Sequence, residues 1–294
     1  MSSHARTLDR LHQPSLEQFH RDYLAPQKPC IITGVASQWP AVAKWSPEHF
    51  KERLPELKIR YETWEGDESV TNDPLDFVDK QKYHEATMAE YVELLRNSKG
   101  RRIYSAQFAI LDAAPELARE LGSLEPWMNI PRIYPERIRR QLQIKPFLWT
   151  GPEGTISVLH FDRAHNLFVQ LYGRKKWIVL PPQESDYVYW PCDDIQIDLM
   201  HFSPVDVERP DLKRFPLFAK AQPIEFELGP GDMLFLPVGW WHFVRSLEAS
   251  ISINYFWLDL PGNALALRRY LFHYARRDLK RRLGLERKPQ AAGS

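Results

Sequence analysis

From about residue 145 onward, apolar and polar positions alternate over short runs broken by Gly and Pro. The runs are FLWTGPEG, TISVLHFD, NLFVQLYGRKKWIVLPP, IEFELGPGDMLFLP, WWHFVRSL and SISINYFW. Many short strands with turn chemistry between them predict a sandwich or barrel. Roughly the first 130 residues follow a different rhythm, with helix and strand mixed. Ser15 with Gln18 has capping-box spacing ahead of a helix reaching Tyr23. Cys30–Thr33 reads as a short buried strand ended by Gly34, and Ser46-Pro47 opens a helix with Ser as cap and Pro at its first position. Thr87 and Glu90 form a second capping box, for a helix through Arg96. A strand over 101–110 and a short helix over 115–122 complete this part.

Two segments stand apart from the strand pattern. Between Pro182 and Gln222 lies a long proline-bearing insertion, and loops of that length inside a compact domain usually serve as lids or binding loops. From Asn263 the chain reads as one helix ending near Gly284, with Arg and Lys crowding its last turns. The resulting division is one domain over 1–262, with a mixed amino-terminal part, followed by a carboxy-terminal helix and tail over 263–294.

Charge narrows the function classes. Lys and Arg total 39 against 38 Asp and Glu, a net of +1, so no chain-wide field favours nucleic acid. Two cysteines do not make a disulfide framework and suit a reducing compartment. The opening MSSHARTLDRLHQ lacks the apolar stretch of a signal peptide, and no apolar run approaches the roughly 20 residues of a span. The expectation is a cytoplasmic protein without a membrane partner.

The sharpest chemical feature is His160-Phe161-Asp162 within a strand. Residues at i and i+2 of a strand face the same way, so both side chains can reach one ion. His242 follows 80 positions after Asp162, behind the turn GPGD and the run MLFLPVGWW. Two imidazoles and a carboxylate on one face of an octahedral ion leave three positions open, the facial triad of non-haem iron(II) oxygenases. Those positions suit a bidentate 2-oxo acid and dioxygen, whereas structural zinc prefers a closed four-ligand site. His165 is a rival ligand, but its offset of three from Asp162 breaks the strand parity. His201, in the insertion, is either solvated or faces substrate.

NLFVQLYGRKKWIVL reads as a hairpin turning at Gly173-Arg174. Alternation then places Asn166, Phe168, Gln170 and Tyr172 on one face with Lys175 and Trp177, and Leu167, Val169 and Leu171 on the other. A lysine on an inward face needs a partner. The distal carboxylate of 2-oxoglutarate would be one; the alternative is that Lys175 ends the hairpin in solvent.

Together, GTISVLHFDRAHNLFVQLYGRKKWIVLPP, PDLKRFPLF, LGPGDMLFLPVGWWHFVRSL and ISINYFW resemble the JmjC/cupin-like hydroxylases, with asparaginyl hydroxylases as the nearest branch. KPCIITGVASQWPAVAKWS is similar to that family's amino-terminal strand and helix, so the likeness covers most of the chain. The resemblance implies a mainly β fold with flanking helices, a double-stranded β-helix or distorted jelly roll. It implies dependence on Fe(II), 2-oxoglutarate and O2, with His160, Asp162 and His242 as iron ligands. It assigns Lys175 to the co-substrate's C5 carboxylate, Ser157 and Tyr104 to hydrogen bonds with the same group, and Asn166 and Asn254 to the neighbourhood of metal and co-substrate. Strict alternation puts Ser157 opposite His160, so its role requires a bulge. A protein or peptide substrate is implied. So is a two-fold dimer through the carboxy-terminal helix, whose Leu267, Tyr270, Leu271 and Tyr274 share a stripe; the alternative is that a monomer buries this stripe against its own barrel.

Within that chemistry, side-chain hydroxylation of a protein or peptide is the leading reading. N-methyl-lysine demethylation, tRNA modification drawing on the basic run from Arg268 to Lys288, and a non-catalytic metal-binding cupin are the alternatives.

Overall fold

The computed structural model describes residues 6–64, 81–98, 103–130, 135–190 and 201–283. Eight consecutive strands form the central body: β6 (Gln143–Gly151), β7 (Ile156–Phe161), β8 (His165–Tyr172), β9 (Lys175–Leu180), β10 (Ile224–Leu228), β11 (Met233–Leu236), β12 (Trp241–Ser246) and β13 (Ser250–Trp257). They wind between two facing sheets, alternating at each step except that β9 and β10 both lie in the smaller one. The smaller has the order β10-β9-β12-β7; the larger contains β11-β8-β13-β6. Five earlier strands widen the larger sheet: β1 (Asp9–His12) and β2 (Cys30–Thr33) beyond β11, then β5 (Ile103–Phe108), β3 (Lys58–Trp64) and β4 (Gln81–Thr87) beyond β6. This is the double-stranded β-helix that the family resemblance implies, where the alternating pattern alone predicts a sandwich or barrel.

Three apolar clusters follow from this layering. The outer face of the large sheet packs Leu167, Val169, Ile251 and Ile253 against the amino-terminal helices through Phe19, Trp45, Phe50 and Tyr91. Between the sheets lie Phe168, Trp177, Val179, Leu234 and Leu236. The outer face of the small sheet packs Phe161, Ile178 and Trp241 against Val188, Trp190, Val205, Phe215 and Phe218 of the insertion and Leu267 and Tyr270 of the carboxy-terminal segment. Burying each such side chain contributes roughly 1.5–3 kcal/mol.

Local signals mostly act as read. Ser15 caps Leu16–Phe19, which continues as one wider turn over His20–Leu24; Ser46 caps Pro47–Arg53. Thr87 and Glu90 make both bonds of the capping box on Met88–Arg96. That helix places Tyr91 in the core, where its hydroxyl donates to Thr150 O and accepts from the Ser105 N–H. One side chain thereby bridges β5 and β6 at the bulge that separates them. The strand expected over 101–110 runs only Ile103–Phe108, because Ile110 begins a helical turn; residues 101 and 102 lie outside the described residues.

Three readings are corrected. First, β8 and β9 are not a hairpin: β8 pairs with β11 and β13, and β9 with β10 and β12. The turn is a corner between sheets. Gly173 has φ +69° there, and a Cβ would lie 2.2 Å from the Ala249 carbonyl oxygen, so no side chain fits. Gln170 braces the corner by donating to the carbonyls of Tyr172 and Gly173. A register shift against β13 just beyond Gln170 turns Tyr172 away from the interior, onto the helix side.

Second, the described part of the insertion is mostly cladding for the small sheet. Its residues 201–203 line up beside β7: Phe161 N–H donates to His201 O at 3.0 Å, and Ser203 N–H donates to Leu159 O at 2.9 Å. Residues 191–200 lie outside the described residues. Third, the tail is two helices, Leu260–Ala266 and Arg268–Arg282, and Gly284 lies outside the described residues. Of the expected stripe, Leu267 and Tyr270 are buried and Tyr274 packs partly against the barrel, while Leu271 is exposed.

Candidate metal centre and anion pocket

His160 on β7 and His242 on β12 are direct cross-strand partners, and their ring centroids lie 4.1 Å apart. Asp162, one residue past the end of β7, turns its carboxylate to both: Oδ1 lies 4.0 Å from His160 Nε2, and Oδ2 lies 3.7 Å from His242 Nε2. One donor atom from each lies within 4.8 Å of the others, close enough to share an ion. Among the described residues no other such group of three occurs.

The backbone sets the tautomers. His160 Nδ1 contacts Val158 O at 2.7 Å and His242 Nδ1 contacts Trp240 O at 3.1 Å. A carbonyl only accepts, so each Nδ1 carries the proton and each Nε2 presents a bare lone pair. Burial, followed by the neighbouring His160, lowers His242 to about 4, which keeps it neutral and ready to ligate. Asp162 is held by a relay: Asn166 donates to Asp162 Oδ2 at 3.1 Å, and Asn254 donates to Asn166 Oδ1 at 2.9 Å. Phe202 stacks on His160 and Trp177 on His242, walling the imidazoles.

The site opens into a cavity of ≈ 420 Å³ between the sheets. Lys175, fully buried, lines it; its ammonium donates to Ser252 Oγ at 2.9 Å and to Tyr104 OH at 3.5 Å and lies over the Tyr104 and Phe168 rings. Among the described residues no carboxylate is within ion-pair distance of it. Burial alone pulls its pKa down to about 7. Ser157 reaches the same pocket because β7 carries the required bulge: against β12, His242 faces His160, but two positions on Val244 faces Ser157. The extra residue returns Ser157 to the side of His160, and Tyr104 hydrogen-bonds it.

The structure thus gathers His160, Asp162, His242, Lys175, Ser157, Tyr104, Asn166 and Asn254 around one cavity. His165 is elsewhere: it stacks on Phe235 and Trp257, Nδ1 accepts from Val238 N–H, and burial lowers it to about 4. His201 is half-buried and lines the cavity. Sequence reasoning missed Ser252, whose inward position follows from the alternation of SISINYFW, and missed the far wall, where Glu62, Gln81, Tyr83 and Trp149 converge. Glu62 is 8% exposed, and burial raises its pKa against a Gln81 hydrogen bond and the Arg60 charge.

A two-histidine, one-carboxylate centre suits a divalent first-row metal with open positions. Three side chains that line the same cavity each bury a polar atom without a hydrogen-bond partner among the described residues, His201 Nδ1, Trp177 Nε1 and Asn254 Oδ1. A double-stranded β-helix holding such a centre between its sheets defines a metal-binding cupin. A profile of the cupin-like domain matches residues 16–263, and the chain belongs to that family. Lysine-specific demethylase 8 of Xenopus tropicalis is 34% identical over 257 residues, covering 85% of this chain and 52% of that protein. Human bifunctional peptidase and (3S)-lysyl hydroxylase JMJD7 is 26% identical over 267 residues, covering 84% and 82%. Human HSPB1-associated protein 1 is 29% identical over 256 residues, covering 82% and 49%. The chain spans about half the length of several of these relatives.

Proposed function

We propose that this chain is an iron(II)- and 2-oxoglutarate-dependent oxygenase acting on a cationic side chain of a protein or peptide. The observation that carries the reading is Lys175: an ammonium buried without a carboxylate, in the cavity that also holds the His160, Asp162 and His242 donors. A buried cation calls for an anion, and a dicarboxylate reaching from Lys175 to the metal meets that need. His160, Asp162 and His242 would hold the iron. When bound, iron with 2-oxoglutarate and dioxygen supplies an oxidation that converts the co-substrate to succinate and carbon dioxide and places one oxygen atom on a substrate carbon.

The protein's own part is placement. Lys175, Tyr104, Ser157 and Ser252 offer donors to the distal carboxylate. Asn166 and Asn254 hold Asp162 in its orientation. Trp177, Phe168 and Phe202 form aromatic walls beside the donors.

Glu62 supports the substrate class. A carboxylate held above its ordinary pKa by burial regains its charge when a cation enters beside it. Two of the relatives are named for lysine. A likeness to asparaginyl hydroxylases would put a neutral carboxamide here, which leaves Glu62 unmatched. Hydroxylation and N-methyl-lysine demethylation use the same first oxidation; the demethylase names among the relatives favour keeping the second reading. The test is mass spectrometry of lysine- and arginine-containing peptides, methylated and unmethylated, incubated with enzyme, iron and 2-oxoglutarate. A gain of one oxygen supports hydroxylation, and loss of a methyl supports demethylation. If succinate release is never stimulated by any cationic peptide, the substrate class fails; if 2-oxoglutarate does not bind the metal-loaded protein, the whole reading fails.

A further inference from the structure

The last helix, Arg268–Arg282, has two apolar faces, and the barrel uses one. Tyr270 is buried against Phe161, and Tyr274 packs beside it. At ~100° per residue, Leu279 lies about 180° from Tyr270, with Phe272 and Leu283 within ~40° of Leu279. These outward residues are exposed: Phe272 by 65%, Leu279 by 57% and Leu283 by 62%. Leu271 and, in the preceding helix, Leu265 are exposed as well. Solvent-facing helical positions are ordinarily polar, so a stripe of large apolar side chains opposite the packed face marks a surface made to be covered.

Charge decides what covers it. Between Arg268 and Arg282 there are seven Lys and Arg and one acidic residue, Asp278, while the whole chain carries a net of only +1. Arg268, Arg276, Lys280 and Arg282 are exposed around the stripe, while Arg269 turns to the barrel side, where it pairs with Asp186 and lies over the Trp190 ring. Pairing this face with the same face of a second copy would set two such arginine rims against each other. A broad anionic plane suits both the charge and the apolar stripe: the leucines and phenylalanine enter an apolar layer, and the arginines extend their stems along it and reach the anionic groups above. We propose that the outward face of the last helix seats this protein on an anionic membrane surface, without crossing it. No helix among the described residues is long and apolar enough to cross. A nucleic acid would use the arginines but has no use for Phe272 and Leu279.

The test is sedimentation of the full chain with phosphatidylcholine vesicles in which about a third of the lipid is phosphatidylserine, against phosphatidylcholine vesicles alone. Binding is expected only to the anionic vesicles and is expected to weaken as salt rises. The double variant Phe272→Asp, Leu279→Asp should abolish it. Arg276→Glu with Lys280→Glu should weaken it by about tenfold or more. All four positions are exposed and remote from the cavity, so both variants should keep wild-type succinate release. The proposal is overturned if the anionic vesicles do not retain the protein, or if the aspartate variant binds them as well as wild type. It is also overturned if light scattering shows a dimer that the same variant splits, which gives the face to a second copy. Retention of RNA by wild type and aspartate variant alike, without vesicle binding, would give it to nucleic acid.

Discussion

Lys175 and Ser252 meet across the interior of the barrel, ammonium to hydroxyl at 2.9 Å, although they belong to strands of different sheets. Among the described residues no carboxylate pairs with the lysine, and burial lowers its pKa to about 7. Lys175→Ala should raise the Michaelis constant for 2-oxoglutarate by roughly 30-fold or more, from the ~2–5 kcal/mol of a buried charge pair. Metal affinity should be unchanged.

The same lysine predicts a pH signature. Below about 7 the ligand-free lysine is charged and binds a dicarboxylate without taking up a proton. Above about 7 it is neutral and must be protonated for the pair to form, so affinity falls as pH rises. Calorimetry of 2-oxoglutarate binding to the metal-loaded protein at pH well above 7, in buffers of differing ionisation enthalpy, should show uptake approaching about one proton. No uptake there would mean that Lys175 is already charged in the empty site.

Metal binding should separate three histidines. His160→Ala and His242→Ala should each lose cobalt(II) or nickel(II) binding measured by titration, as should Asp162→Ala. His165→Ala should keep it, at a stability cost of roughly 1–3 kcal/mol from a vacated core position. Loss of metal by the His165 variant with an intact fold would reverse that assignment.

The asparagine relay carries a distinct expectation. Asn166→Ala removes the hydrogen bond to Asp162 but none of the donors. Metal affinity should drop by about 10- to 100-fold, the usual effect of losing a partner that orients a ligand. Asn254→Ala, one step further along, should produce a smaller loss in the same titration.

The two faces of the last helix should differ in stability. Tyr270→Ala should destabilise the fold by roughly 3 kcal/mol in urea unfolding, because it leaves a hole beside Phe161. Phe272→Ala, on the exposed side, should change stability by less than about 0.5 kcal/mol.

How much of this was legible depends on what a one-dimensional pattern encodes. Strand parity placed His160 with Asp162, and inward alternation placed Lys175, because both are local properties of an extended chain. Parity says which face a residue takes but not which sheet its strand joins. The Gly173 corner therefore read as a hairpin. Ser157 needed a bulge that only the pairing with β12 reveals, where two residues of β7 oppose one. Glu62 and Gln81 were invisible as site residues, since they reach the cavity through strands added at the edge of the large sheet, far from any motif. His201 was half legible: its sequence put it in the insertion, and only the alignment of 201–203 beside β7 brings it to the metal side.

β13, the last strand among the described residues, sits in the middle of the large sheet, between β8 and β6. Until Ser250–Trp257 is in place, the ladder β1-β2-β11-β8 and the ladder β6-β5-β3-β4 have no shared edge, and Ser252 and Asn254 are missing from the cavity. A nascent chain still holding that strand inside the ribosome exposes two open sheet edges toward each other, each a template for pairing with another chain. The barrel therefore closes only once residues 250–257 are free to pair, and a chain cut before residue 250 should yield aggregates in place of a smaller functional enzyme.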